Sequence, residues 1–230
     1  MKAEKLSGRK LKKKILELLK KKDFEESLKE ICQLPAKQTV NPLFSFFYNQ
    51  DELIKWRAVT SMGMVVSLLA KRDMESARVV MRRLMWNLND ESGGIGWGSP
   101  EAMGEIMAVN KRLAEEYHHI LASYICTDGN FIENEALQRG VLWGLGRLAH
   151  AEPQLVRHIA QFLLKFLESK DAALRGIAAW TAGAINTDLT RQQLIVLTKD
   201  NTKIMLYIDR QLVECSVGQL AKDALHPTFY

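Results

Sequence analysis

The residues with the most chemical potential lie between positions 90 and 119. The run Asp90-Glu91-Ser92-Gly93-Gly94-Ile95-Gly96-Trp97-Gly98-Ser99-Pro100-Glu101 combines a glycine cluster, an aromatic ring and three carboxylates, and Glu105 follows one helical turn later. Glycine N–H groups ahead of a helix N-terminus can cradle an anion. Here Asp90, Glu91 and Glu101 would repel a phosphate. No strand precedes Gly94-Ile95-Gly96-Trp97-Gly98, so the pattern is not a dinucleotide fingerprint. A cationic or neutral polar partner suits the segment better, and the expected partner-binding residues are Asp90, Glu91, Gly94, Trp97, Glu101 and Glu105. The plainer alternative is a helix C-cap and tight corner built on positive φ, although four glycines exceed what one cap needs.

Other candidates are weaker. Glu115-Glu116-Tyr117-His118-His119 contains one Glu-x-x-His, the spacing of carboxylate-bridged metal pairs, which need two such motifs and two more glutamates. Adjacent His118 and His119 point about 100° apart on a helix, so neither a metal nor a cofactor is expected. Cys32, Cys126 and Cys215 are widely spaced and odd in number, with no CxxC spacing, which argues against a disulfide framework and a zinc site. A reducing, cytoplasmic setting fits them. No nucleophile triad or acid–base pair stands out, so the chain reads as non-catalytic.

Charge is segregated. Residues 1–22 hold ten basic and two acidic residues; the remainder holds 22 basic and 25 acidic, so the net charge of +5 belongs to one segment. There Leu11, Ile15, Leu18 and Leu19 mark one helical face and lysines the rest. Two readings stay open: a terminal cap, or a helix whose Lys10, Lys12, Lys13 and Lys14 track nucleic-acid or anionic-membrane phosphates. No apolar h-region follows the basic start, so no secretory signal is expected. No run of 18 apolar residues occurs, and no transmembrane segment is expected.

The elements that must position these residues are helices. Asp23, with Glu26 three residues on, has capping-box spacing. Asn41-Pro42 reads as a cap and first turn for a helix over 43–48. Asp51, Asp73 and Asp188 read as further helix starts, the chain breaks near Asn110, and Pro153 opens another helix. Residues 203–208 and 212–215 flank Asp209-Arg210-Gln211 as a hairpin or a helix, since the turn lacks Asn-Gly. Ser216 and Gln219 have the spacing to cap a last helix.

A pattern recurs through this array: an acid, an Arg four to six residues later, then small and β-branched residues, around Arg57, Arg139 and Arg175. Glu101–Ile106 fills the missing period, giving repeats of about 36–41 residues, the size of stacked helix pairs. Leu174-Arg-Gly-Ile-Ala-Ala-Trp-Thr-Ala-Gly-Ala-Ile185 resembles the HEAT-like repeat, and Trp143–Leu148 and Glu101–Ile106 match its centre. Gly63 and Gly146 fall six and seven positions after their Arg, where the pattern has eight. The resemblance implies an all-α, right-handed solenoid over one 230-residue domain. Residues 1–50 would form basic capping helices, 51–200 the HEAT-like repeats, and 201–230 a C-terminal hairpin or helix cap. It implies that the shared arginines pair with acids of neighbouring repeats, Asp51, Glu135 and Asp171 being placed for this. Of the five tryptophans, Trp56, Trp86, Trp143 and Trp180 are expected between repeats and Trp97 exposed.

By fold-level analogy the leading expectation is a scaffold for a protein or peptide partner near residues 90–106. HEAT-like relatives include alkylpurine DNA glycosylases, for which Asp90, Glu101 or Glu105 would supply the carboxylate, and bilin lyases, which imply a cofactor-processing helper. Deoxyhypusine hydroxylases carry repeated His-Glu pairs that this chain lacks.

Overall fold

The computed structural model describes residues 7–89 and 96–226. Asp90, Glu91 and Gly94 lie outside them. Three N-terminal helices, α1 (Gly8–Lys20), α2 (Phe24–Gln33) and α3 (Ala36–Phe46), form one end. Leu11, Ile15, Leu18 and Leu19 of α1 are buried while its lysines face out. Asp23 accepts from the Glu26 N–H at 3.1 Å, as its spacing requires. The helix expected to open at Asn41-Pro42 instead starts at Ala36 and runs through Pro42. Burial of Val40, Leu43 and Phe44 on both sides of the proline outweighs its interior penalty of about 3 kcal/mol. Asn41 is free for another task, accepting from Arg83.

The repeats follow as helix pairs. α4 (Glu52–Arg72), α6 (Ser99–Val109), α8 (Glu135–Ala149) and α11 (Ala172–Ile185) pack one on the next, and α13 (Val217–Leu225) closes the row. α5 (Met74–Asn89), α7 (Lys111–Ser123), α9 with α10 (Pro153–Val156 and Ala160–Leu167) and α12 (Arg191–Leu197) form the second layer. α4 is long and apolar enough to cross a membrane by composition, yet it is largely buried within the fold. Asp51, Asn110, Asn134 and Asp171 each cap a following helix through the side chain. Thr187, not Asp188, makes the cap before α12: Asp188–Thr190 form a 3₁₀ turn and the helix starts at Arg191.

The tail is a hairpin. β1 (Lys203–Ile208) and β2 (Gln211–Ser216) pair antiparallel from Ile208↔Gln211 to Lys203↔Ser216. Asp209 and Arg210 both adopt positive φ, 49° and 64°, the type I′ conformation that matches strand twist without the usual glycine. Ser216 then caps α13 by accepting from Gln219 N–H at 3.1 Å.

Candidate functional site

α6 is buried over nearly its whole circumference, because α4 and α8 flank it and α5 and α7 lie behind it. Glu101 and Glu105 are each only 5% exposed. Glycines on the neighbouring helices make room for them. A Cβ on Gly140 of α8 would stand 2.8 Å from the Glu101 carboxylate, and one on Gly63 of α4 2.6 Å from Glu105 Cγ. Gly63, off the repeat register in sequence, is thus where a buried carboxylate side chain needs space. Trp97 is 47% exposed, and Gly98 behind it is left-handed at φ 77° with Phe47 against its Cα. The corner expected from sequence is therefore resolved into separate places: an exposed Trp97, a buried Glu101 beside it, and Glu105 deeper along α6.

The hairpin divides the face of the inner helix row. Tyr207 stacks on Trp56, with centroids 4.9 Å apart and planes at 10°; Trp56 in turn meets Trp143 at 4.6 Å. The Trp143 indole N–H donates to the Tyr207 carbonyl at 2.8 Å, and Thr60 Oγ1 and the Tyr207 hydroxyl share a hydrogen bond of 3.1 Å. Burial holds the Tyr207 phenol protonated, its pKa pushed up to about 12. Ile204 packs onto Gly176 of α11, and at the far end Arg210 reaches Glu25 of α2.

On one side of this strap lies a cleft of about 610 Å³ along the N-terminal ends of the inner helices. Its walls include Glu52, Lys55 and Trp56 of α4, Trp97 and Glu101, Arg139 and Trp143 of α8, Asp171 ahead of α11, and Lys203–Leu206 of β1. It continues past Trp97, Lys55 and Glu52 into a cavity of about 570 Å³ beside Tyr48 and Phe47. On the other side, Glu105, Arg147, Tyr207 and Arg210 enclose a separate cavity of about 570 Å³. Arg147 Nε donates to Glu105 Oε2 at 2.8 Å. Burial nevertheless raises the Glu105 pKa above the ordinary carboxylate value, with Arg147 opposing it.

Charge in the cleft is mostly committed. Arg139 binds Asp171 of the next repeat, and Lys203 binds Glu214 at 2.6 Å. Asp171 is desolvated, yet the Leu174 N–H and Arg139 hold its pKa below the usual range. Two atoms are left over. The Trp56 indole N–H and Glu101 Oε2 are buried and have no hydrogen-bond partner among the described residues. Unmet buried groups of this kind cost about 1–3 kcal/mol each, and native structures keep few of them without a use.

The arginine expectation holds in part. Arg139 pairs with Asp171 as anticipated, but Arg175 takes Asp200 at 2.6 Å, and Arg57 caps α1 through the carbonyls of Leu19 and Lys21 at 2.7 and 2.8 Å. A guanidinium with five donors satisfies exposed helix-end carbonyls as readily as a carboxylate. Trp56 and Trp143 are core, but Trp86 is 74% exposed on α5 instead of lying between repeats. His118 is hydrogen-bonded to Ala114 O at 2.9 Å, and among the described residues no three His, Cys, Asp or Glu side chains converge on a metal position.

Stacked helix pairs of this period, with one row inside and one outside, define an α-solenoid repeat protein. Residues 135–184 match the family model of the HEAT-like repeat. The chain is 26% identical over 182 residues to an uncharacterized protein of Archaeoglobus fulgidus, covering 77% of this chain and 91% of that one. Among solved structures it resembles an engineered protein of the Northeast Structural Genomics Consortium (TM-score 0.55, 14% identity, 94% of this chain and 95% of that one). A designed armadillo repeat protein in complex with the peptide (KR)4 is similar too (TM-score 0.52, 15% identity, 94% and 98%). At such identities the structural likeness is one of fold.

Proposed function

We propose that the protein is a non-catalytic scaffold that receives an extended segment of a protein partner in the cleft beside Trp97, along the N-terminal ends of α4, α6, α8 and α11. The observation that carries this reading is the unpaired donor and acceptor, Trp56 Nε1 and Glu101 Oε2, in residues that line an aromatic cleft. A polypeptide offers both a carbonyl acceptor and an N–H donor to such a pair. Four helices spaced about 10 Å apart give a run of roughly 30 Å, enough for about nine extended residues at ~3.3 Å each. The (KR)4 complex of the designed armadillo neighbour is an instance of the same kind of fold holding a peptide. Asp90, Glu91 and Gly94, adjoining Trp97 in sequence, belong to the same proposed contact site. The three free, partly buried cysteines, whose pKa values burial raises, suit a reducing compartment such as the cytoplasm.

A linear peptide library displayed on phage and panned on the protein tests this. Enriched peptides are expected to lose at least tenfold in affinity when Trp97→Ala removes the exposed ring or Ala173→Trp fills the cleft, with the unfolding transition unchanged. Absence of enrichment, or equal binding by both variants, contradicts the proposal.

A further inference from the structure

Lys55 is held in an unusual way. Its ammonium lies 3.7 Å from Glu101 Oε1, too far for a hydrogen bond, and 5.7 Å from the centre of the Trp56 ring. It therefore sits between an aromatic ring and a carboxylate, where a cation is favoured, without closing on either group. The other carboxylate oxygen, Glu101 Oε2, stays unpartnered although the residue is nine-tenths buried. A point charge on a four-carbon stem satisfies this site incompletely; a planar guanidinium, with five donors and a face to stack on tryptophan, can do so fully. Lys55 also has somewhere to go. Glu52 lies one turn earlier on α4, is exposed, takes part in no ion pair among the described residues, and has the i,i+3 spacing for a helical pair. The other cations of the cleft do not compete, since Arg139 and Lys203 are held by Asp171 and Glu214.

We infer that the space between Trp56, Trp97 and Glu101 is the seat of an arginine side chain from the bound segment, and that Lys55 is its built-in placeholder, displaced toward Glu52 when the arginine enters. The inference rests on the peptide-scaffold reading and names the partner's anchoring residue. It makes Lys55 a competitor of the ligand, not a contributor to its affinity. That sign separates it from a structural role.

The test uses the full chain and blocked heptapeptides of alanine with a central Arg, Lys or Gln, titrated calorimetrically against wild type and variants whose melting temperatures are checked. The Arg peptide is expected to bind Lys55→Met at least tenfold more tightly than wild type. Glu101→Gln should weaken it tenfold, and Lys55→Met should bring no gain in the Glu101→Gln background. Glu52→Gln, which removes the alternative seat, should weaken it several-fold. The Gln peptide should not respond to Lys55→Met. Unchanged or weaker Arg-peptide binding by Lys55→Met, or equal binding of Arg and Gln peptides, overturns the inference. If library-selected peptides without arginine still depend on Trp97, the scaffold reading survives that failure; if no peptide depends on Trp97, both fall.

Discussion

Two glutamates one turn apart on α6 have been given opposite circumstances by their neighbours. Glu105 has a direct partner in Arg147 and no open cleft beside Trp97; Glu101 has a distant lysine, an unmet oxygen and the cleft. Because the folded-state pKa of Glu105 is raised, its contribution to stability is greatest below the unfolded value and declines as pH rises through the folded one. Removing Arg147 raises that pKa further. Arg147→Met is therefore expected to cost little at pH 4 and about 2–4 kcal/mol at pH 7, read from urea midpoints at the two pH values; an equal loss at both would show that Arg147 acts by packing alone. Gly140→Ala should destabilise by about 1–3 kcal/mol, since the methyl meets the Glu101 carboxylate and the Pro100 ring. Unaltered stability would mean that Glu101 moves aside without cost. Neither glycine seat was legible in the sequence, because a glycine that admits a neighbour's carboxylate looks the same there as one that turns the chain.

At the scale of elements, helix starts were the most readable feature. Asp23, Asp51 and Ser216 all cap as their spacing indicates, because a cap needs only three or four consecutive residues. Asn41-Pro42 misled for the complementary reason: tertiary burial on both sides of Pro42 overrode a local signal. The hairpin was half legible. Residues 203–208 and 212–215 flank a polar turn, but that turn carries two non-glycine residues at positive φ, a cost that the buried strand face outweighs. Tyr207 is the anchor of that face, and Tyr207→Ala is expected to lose about 3–5 kcal/mol, the range for deleting a large buried ring. Tyr207→Phe should lose only about 1 kcal/mol, the Thr60 hydrogen bond. Its raised pKa adds a pH signature: stability present below pH 10 falls as pH rises toward about 12, and Tyr207→Phe should flatten part of that fall in alkaline denaturation curves.

Over the whole molecule, the repeat period read from Arg57, Arg139 and Arg175 gave the helix row correctly, with α6 in the gap where Glu101–Ile106 was expected. What a period cannot convey is where the tail lands. The hairpin crosses the inner row and leaves the edge cleft separate from the cavity at Glu105, so that Trp97 and Glu101 remain near one opening while Glu105 does not. Burial of these carboxylates depends on Gly63, Gly140 and Arg147, about 40 residues away in the chain, which no local window registers. The cleft, rather than the lysine-rich face of α1, is where the account places recognition. Binding of a selected peptide should accordingly depend little on salt compared with any binding through Lys10, Lys12, Lys13 and Lys14.

The five tryptophans allow a direct test of that central claim. In a protein with nitrogen-15 indole labels, each ring gives one N–H resonance: Trp56, unpaired; Trp97, exposed at the cleft; Trp143, bonded to Tyr207; Trp180; and Trp86, exposed on the outer layer. Titration with a library-selected peptide should shift the Trp97 and Trp56 resonances, the latter downfield as its N–H gains an acceptor, and leave Trp86 in place. Movement of Trp86 with Trp56 and Trp97 unmoved would place the partner on the outer face and contradict the account.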